Sequence, residues 1–438
     1  FNIEEVKNQT SIFGNCQKYL GVTMNSNYIS SNNKTQKIFL VDMCTWKGHH
    51  EIYFKNILLT LLSSSYIVYA SFEDNVALKE WIDESNLQNC YVLNANLSFI
   101  DKLSFKFLSL IDRILMKLHV KVTFEYSSIV SLLFIKNFLK EIGEKVPVFF
   151  AHADSAIPHV PAWFAKLVLP SSWIALSIQP SYQLAISLGK QKSRQRFLAE
   201  KLFSLPSCKA VLVLHPVYQI FFNKRFKQNK FLVFPELVDV NTSGESELVD
   251  KVQYLASGRK IISIVGSLLP KRNLKLFLKS AQNLSASEYF ILVVGYLSKE
   301  CYSAEEIEDI QTLSLTFSSN SYIDLNYYIP NEREFNKLLD ISDVIYLQYQ
   351  NHPCSSNILP KSIKLRKPII VNSGYLMEKI VKTYDWQTIS PEEPEKVSEK
   401  IIDLAHKFKI NEEKYNQFLA EYDGEKNTAA ICKSLEFL

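Results

Sequence analysis

The sequence predicts an α/β protein made of two doubly wound, parallel-sheet halves that face a cleft. Three observations lead there. Short apolar strands without strict alternation are separated by helical periods, which means parallel sheets covered on both faces. The alternation stops once, at the polar and acidic stretch Pro235 to Asp250, and then restarts. At roughly 150 residues per domain, 438 residues suit about two or three domains.

In order, the first strand is Lys37 to Asp42, a short apolar run after the polar stretch from Asn25 to Thr35. A loop, Met43 to His49, precedes a helix from His50 to Leu62 with Ile52, Tyr53, Ile57 and Leu58 at helical spacing. Strand Tyr66–Ala70, helix Val76–Glu84 and strand Cys90–Leu93 follow, then a long helix from Ile100 to Leu118. Val120 to Tyr126 reads as a strand and Ile129 to Ile142 as an amphipathic helix. Val146–Ala151, Trp173–Ile178, Lys209–Leu214 and Lys230–Phe234 complete the first series of strands.

Beyond the linker come strand Lys260–Val265, helix Asn273–Ala281, strand Tyr289–Val294 and helix Ala304–Leu315. Strand Tyr322–Asp324, helix Glu332–Ile341, strand Val344–Leu347, helix Asn357–Leu365 and strand Pro368–Val371 follow. The run from Val397 to Leu438 is helical in pattern. The domains expected are 1–240, 251–415 and a helix over 416–438 that returns to the first.

Composition narrows the function. Lys plus Arg number 49 against 45 Asp plus Glu, a formal charge of +4, which is not the balance of a dedicated nucleic-acid binder. Seven scattered cysteines without C-x-x-C spacing support neither a zinc site nor a disulfide framework. No apolar run reaches the roughly 18 residues of a membrane span. The chain opens at Phe1 without Met and is expected to be a trimmed form in the cytoplasm, at the inner face of the membrane if its basic runs touch lipid.

Two clusters carry the candidate chemistry. In the second half, Gly266 ends a strand, and Lys271 and Arg272 stand at the following helix start. A glycine there admits close approach of a ligand, and the two cations can pair with phosphate oxygens; the plain alternative is a solvated Lys-Arg turn. Ser355, Ser356 and Asn357 open a helix containing Lys361, a pattern suited to a diphosphate or to ordinary capping.

In the first half, Gly48, His49 and His50 form a loop at the end of the first strand. His152 and Asp154 follow another strand, as acid–base groups or as a satisfied core histidine with a capping aspartate. His159 and His215 are weaker candidates, and His119 and His406 read as structural. The runs Lys190–Arg196 and Lys224–Lys227, with Phe197, Phe221 and Phe222 nearby, suit anionic lipid headgroups or a solvated helix face.

The second half resembles the donor-binding domain of GT-B glycosyltransferases, especially the large retaining group 4 family. The parts stand in the same order: GSLLPKRN, FILVVGYL, YIPNEREFNKLLDISDVIYLQY, the serine loop, then KSIKLRKPIIVNSG. The resemblance implies that Arg272 holds the place of the family's phosphate-binding lysine, and Ser355–Asn357 that of its diphosphate loop. Ser267 stands where the family has an arginine, and Pro353 and Lys361 occupy the places of its paired glutamates. The Gly48–His50 loop is similar to the family's glycine-histidine-histidine loop under the sugar and diphosphate, and His152–Asp154 falls beside the transferred sugar.

The implied activity is metal-independent, retaining transfer of a sugar from a nucleotide-sugar donor to a carbohydrate or lipid-linked glycan acceptor in bacterial polysaccharide or glycolipid assembly. No cofactor beyond the donor is implied. Two other readings remain: a catalytically silent relative that binds nucleotide or glycan as a partner subunit, and an epimerase of the nucleotide sugar.

Overall fold

The computed structural model describes residues 36–42, 50–72, 75–93, 126–143, 145–156, 162–169, 172–178, 200–329, 331–350, 352, 354–386, 389–390 and 392–438. The chain divides into two compact units, one reaching to Leu237 and including Tyr422–Leu438, the other Val238–Glu421.

In the first unit the strands are β1 (Lys37–Val41), β2 (Ile67–Ser71), β3 (Cys90–Val92), β4 (Val148–Phe150), β5 (Trp173–Ser177), β6 (Cys208–Val213) and β7 (Phe231–Val233). They form one sheet in the order β3-β2-β1-β4-β5-β6-β7, and every pair is parallel. All five residues of β5 are buried, which is why these strands read as unbroken apolar runs. Helix His50–Ser63 packs Tyr53, Phe54, Ile57 and Leu61 against Ile38, Leu40 and Phe149. Each such side chain contributes about 1.5–3 kcal/mol on leaving water. Ala430 and Ile431 of the last helix, Gly424–Leu435, belong to this same core.

The second unit has β8 (Lys260–Val265), β9 (Tyr289–Val294), β10 (Tyr322–Leu325), β11 (Val344–Tyr346), β12 (Ile369–Asn372) and β13 (Ile389–Ser390). Their order is β10-β9-β8-β11-β12-β13, again with parallel pairs. Its core gathers Ile262, Ile264, Phe277, Ile291, Val293, Tyr346, Ile370, Val397 and Ile401. In both units the chain winds outward from a central strand and then returns to that strand's other side. The reversals fall between β1 and β4 and between β8 and β11. Doubly wound sheets bind ligands at such a point, beyond the carboxyl ends of the strands.

Several expectations need correction. The predicted linker ends too late, because its last residues start helix Glu247–Ala256, capped by Ser246 Oγ, which accepts from Val249 N at 3.3 Å. Its apolar face is only Val249, Val252 and Ala256, and the acidic surroundings hide that spacing. Helix Leu376–Thr383 and β13 form where the sequence reading placed nothing. Tyr126 opens helix Tyr126–Ile142 and does not end a strand. The predicted helix over 100–118 and residues 120–125 lie outside the described residues. The C-terminal run is helical as expected, but the single helix over 416–438 is two, Glu412–Glu421 and Gly424–Leu435, after helix Pro394–Lys407. Among the described residues, no helix is long and apolar enough to cross a membrane.

Candidate functional site

The second unit's cluster forms where β8 and β11 end side by side. Gly266 follows β8 with φ +105, a conformation open to glycine and strained for other residues. A Cβ there would approach Ile358 Cδ1 at 3.4 Å and Arg272 Nη1 at 3.9 Å, so the turn is packed close. Behind it, Gly295 after β9 allows no side chain, since a Cβ would stand 1.9 Å from Gly266 O.

A 3-10 turn, Pro270–Arg272, then carries the two cations, one exposed and one buried. Lys271 is exposed and its Nζ lies 5.6 Å from the centre of the Tyr349 ring. Arg272 is 2% exposed, which corrects the solvated-turn reading for this residue. Its Nη1 donates to Tyr349 Oη at 2.6 Å and its Nη2 to Val265 O at 2.8 Å. Its buried Nε has no acceptor among the described residues, and neither cation has a carboxylate partner among them. A buried charge without a counter-charge costs several kcal/mol, and a negative charge placed beside the pair would offset that cost.

Tyr349, not singled out as a site residue in the sequence reading, is the hub of the cluster. Its hydroxyl lies 3.2 Å from Ser356 Oγ, and the Arg272 guanidinium sits 4.8 Å from its ring centre. The backbone N of Gln350 donates to Lys271 O at 2.7 Å, tying the loop after β11 to the turn after β8. His352 stacks on Tyr349 with ring centres 4.8 Å apart, and its Nε2 lies 3.3 Å from Ser355 O. Burial and then the Lys271 charge push the imidazole down to about 4, with Arg272 adding to the effect and the Ser355 carbonyl opposing it.

The expected serine loop is only partly used. Ser356 Oγ accepts from Ile358 N at 3.4 Å, whereas Asn357 makes no side-chain cap to helix Ile358–Lys364. Lys361 is buried, and its Nζ donates to the carboxylate of Glu332 and to Asn336 Oδ1, the latter at 2.8 Å. Glu332, also unforeseen, thus brings a carboxylate to Lys361.

The first unit's cluster gathers at its own switch point. His50 starts helix His50–Ser63 and His152 follows β4; both are buried, with ring centres 4.4 Å apart. Gly48 and His49 lie outside the described residues. Asp154, in the short helix Ala153–Ala156, accepts from Ser177 Oγ at 2.8 Å and from Ile178 N at 2.6 Å at the end of β5. His152 Nε2 lies 3.8 Å from Asp154 Oδ2. Burial lowers the His152 pKa, and the Asp154 charge opposes that shift. The arrangement holds a neutral imidazole beside an anchored carboxylate, a combination able to accept or relay a proton.

The remaining candidates separate cleanly. His215 Nδ1 accepts from Val217 N and caps helix Pro216–Phe226, and His406 Nε2 meets Tyr289 Oη at 2.9 Å. His119, His159 and Lys190–Arg196 lie outside the described residues. Lys224 and Arg225 end helix Pro216–Phe226, but Phe222 is buried, stacked on Phe226 and Phe231, and so cannot accompany them to a lipid surface.

No family model and no curated protein matches this chain in sequence. Solved structures do match its fold. A glycosyltransferase from Rickettsia africae ESF-5 aligns with 92% of this chain and 98% of its own at TM-score 0.58 and 14% identity. Anabaena HepE, solved with UDP-glucose, aligns with 92% and 100% at TM-score 0.59 and 11% identity. An α,α-trehalose-phosphate synthase (UDP-forming) from Burkholderia vietnamiensis aligns with 92% and 100% at TM-score 0.63 and 9% identity. The shared architecture is the GT-B fold of two Rossmann-like, doubly wound parallel-sheet domains.

Proposed function

We propose that this chain is a glycosyltransferase that takes a sugar from a nucleoside-diphosphate donor to a carbohydrate or lipid-linked glycan acceptor. The observation that carries the reading is the β8/β11 switch point, where a buried arginine and an exposed lysine meet without a carboxylate. The named solved structures support it, since one holds UDP-glucose and another is described as UDP-forming.

In this reading Gly266 admits the donor's diphosphate close to the backbone, Lys271 pairs with its oxygens, and the field of Arg272 favours the charge that grows as the sugar–oxygen bond breaks. Preorganised cations of this kind lower a barrier by a few kcal/mol, so the reading needs no metal. Ser355, Ser356 and Asn357 line the same edge. In the first unit His152 is the acid–base group toward the acceptor hydroxyl, Asp154 is the positioning residue that holds it, and His50 packs against it with Gly48 and His49 preceding. Retention of configuration, bacterial polysaccharide assembly and work at the cytoplasmic face of a membrane rest on the resemblance alone.

The test is a thermal-shift screen with UDP, GDP, ADP and CDP, followed by assays of nucleoside diphosphate release from matching donors with glycan and lipid-linked acceptors. Stabilisation and release support the reading, and a chain indifferent to all four nucleotides overturns it. The silent-partner reading has its own support: both Asp154 oxygens are already committed, and the paired glutamates are absent. Binding without turnover across the donor panel would favour it.

A further inference from the structure

His352 belongs to no expected set of site residues, yet it lies among them. Its ring stacks on Tyr349, and the same phenol ring has Lys271 Nζ at 5.6 Å and the Arg272 guanidinium at 4.8 Å from its centre. The groups that face it are these two cations from the turn after β8, the Tyr349 ring after β11, and the Ser355 carbonyl from its own loop. No carboxylate faces it among the described residues. A carbonyl only accepts, so Nε2 carries the hydrogen toward Ser355 O, and Nδ1 is the nitrogen open to a further proton.

We infer that His352 is a third phosphate-facing group of this site and takes up a proton from solvent at Nδ1 when a diphosphate binds beside Lys271. The inference rests on the diphosphate reading proposed above for the same cluster. Burial first, and then the two cations, disfavour an imidazolium here, and the neutral ring is favoured. A diphosphate brings two or more negative charges, which offset the two cations and place opposite charge beside the ring. Opposite charge within a few ångströms favours the charged form of an imidazole. The imidazolium then adds a third positive charge beside the anion, to that of Lys271 and the field of the buried Arg272. By reciprocity, a proton that binds because diphosphate is present must tighten diphosphate by the same factor. If diphosphate restores an ordinary imidazole value near 6.5, lowering the pH from 7.5 to 5.5 raises the affinity about tenfold through His352.

The test is isothermal titration calorimetry at pH 5.5 and 7.5, with wild type and H352Q. UDP, GDP, ADP and CDP are titrated in pairs of buffers with different ionisation enthalpies. Glutamine keeps a planar donor for the Ser355 carbonyl and removes the titration. The ligand's own terminal phosphate also titrates near pH 6, so the quantity read is the difference between wild type and variant. The expected result at pH 5.5 is close to one extra proton taken up by wild type, with an affinity gain about tenfold larger than in H352Q between the two pH values. Equal proton uptake and parallel pH profiles would overturn the inference while leaving diphosphate binding in place. No binding of any of the four nucleotides to wild type would overturn both. Should H352Q misfold, histidine-ring NMR titration of wild type with and without the nucleotide reads the same proton: an unmoved His352 midpoint sinks the inference, and a rise supports it.

Discussion

Arg272 is a guanidinium with 2% exposure, and its bonds to Tyr349 Oη and Val265 O join the ends of β8 and β11. Arg272→Ala should therefore cost stability as well as binding, roughly 1.5–3 kcal/mol for hydrogen bonds to a charged group, visible as a lower denaturation midpoint with weaker nucleoside diphosphate binding. Arg272→Lys should recover part of the affinity and less of the stability, because the forked geometry is lost. His352 makes a separate claim on the free protein. Its imidazole sits at about 4 against an ordinary value near 6.5, so the unfolded chain binds a proton that the folded chain refuses. That contribution is fully present above pH 6.5 and is lost as pH falls toward 4, a drop of roughly 3 kcal/mol. H352Q should flatten this part of the stability profile, and an unchanged profile would show that the ring is not held neutral. His152→Ala should cut turnover by about 10²–10⁴ if the imidazole moves a proton, with nucleoside diphosphate affinity within a few-fold of wild type. Turnover indifferent to the change would return His152 to the core.

At the scale of elements, the two glycines after β8 and β9 matter through the space they leave. A Cβ at Gly295 would lie 1.9 Å from Gly266 O, and backbone cannot yield as a flexible side chain can. Gly295→Ala should push the ends of β8 and β9 apart and cost several kcal/mol, since β9 is buried along its length and β8 from Ile261 onward. Denaturant titration would register the loss, and nucleoside diphosphate binding should fall with it. Ser303 offers the contrast. It caps helix Ala304–Leu315 in a reciprocal capping box with Glu306. Ser303→Ala should cost about 1 kcal/mol and leave diphosphate affinity unchanged. Nothing in the letters FILVVG distinguishes a glycine that ends a strand from one whose missing Cβ lets two strands meet.

On the scale of the whole molecule, the last helix belongs to the core of the first unit, where Ile431 is fully buried. Ile431→Ala should cost about 2–5 kcal/mol. Hydrogen exchange should show faster opening in helix His50–Ser63, with β8 and β9 unaffected; equal loosening of both units would contradict the division. The doubly wound sheets were legible from the sequence because buried parallel strands are apolar along their length and helices repeat at 3.6 residues, both properties local to each segment. The turn with Gly266 and Lys271 and the loop with Ser355 to Asn357 could be placed in the sequence for the same reason, as each lies between a strand and the next helix. Sequence alone could not show that Arg272 turns inward while Lys271 turns out, since adjacent residues of one turn differ only in what the fold places against them. Nor could it join Tyr349 and His352 to residues some eighty positions earlier in the chain, or tie Lys361 to Glu332. Those contacts exist because β8 and β11, distant in sequence, are neighbours in the sheet. Local propensity determined the elements, and the pairing of distant strands decided which side chains share a field, a hydrogen bond and a proton.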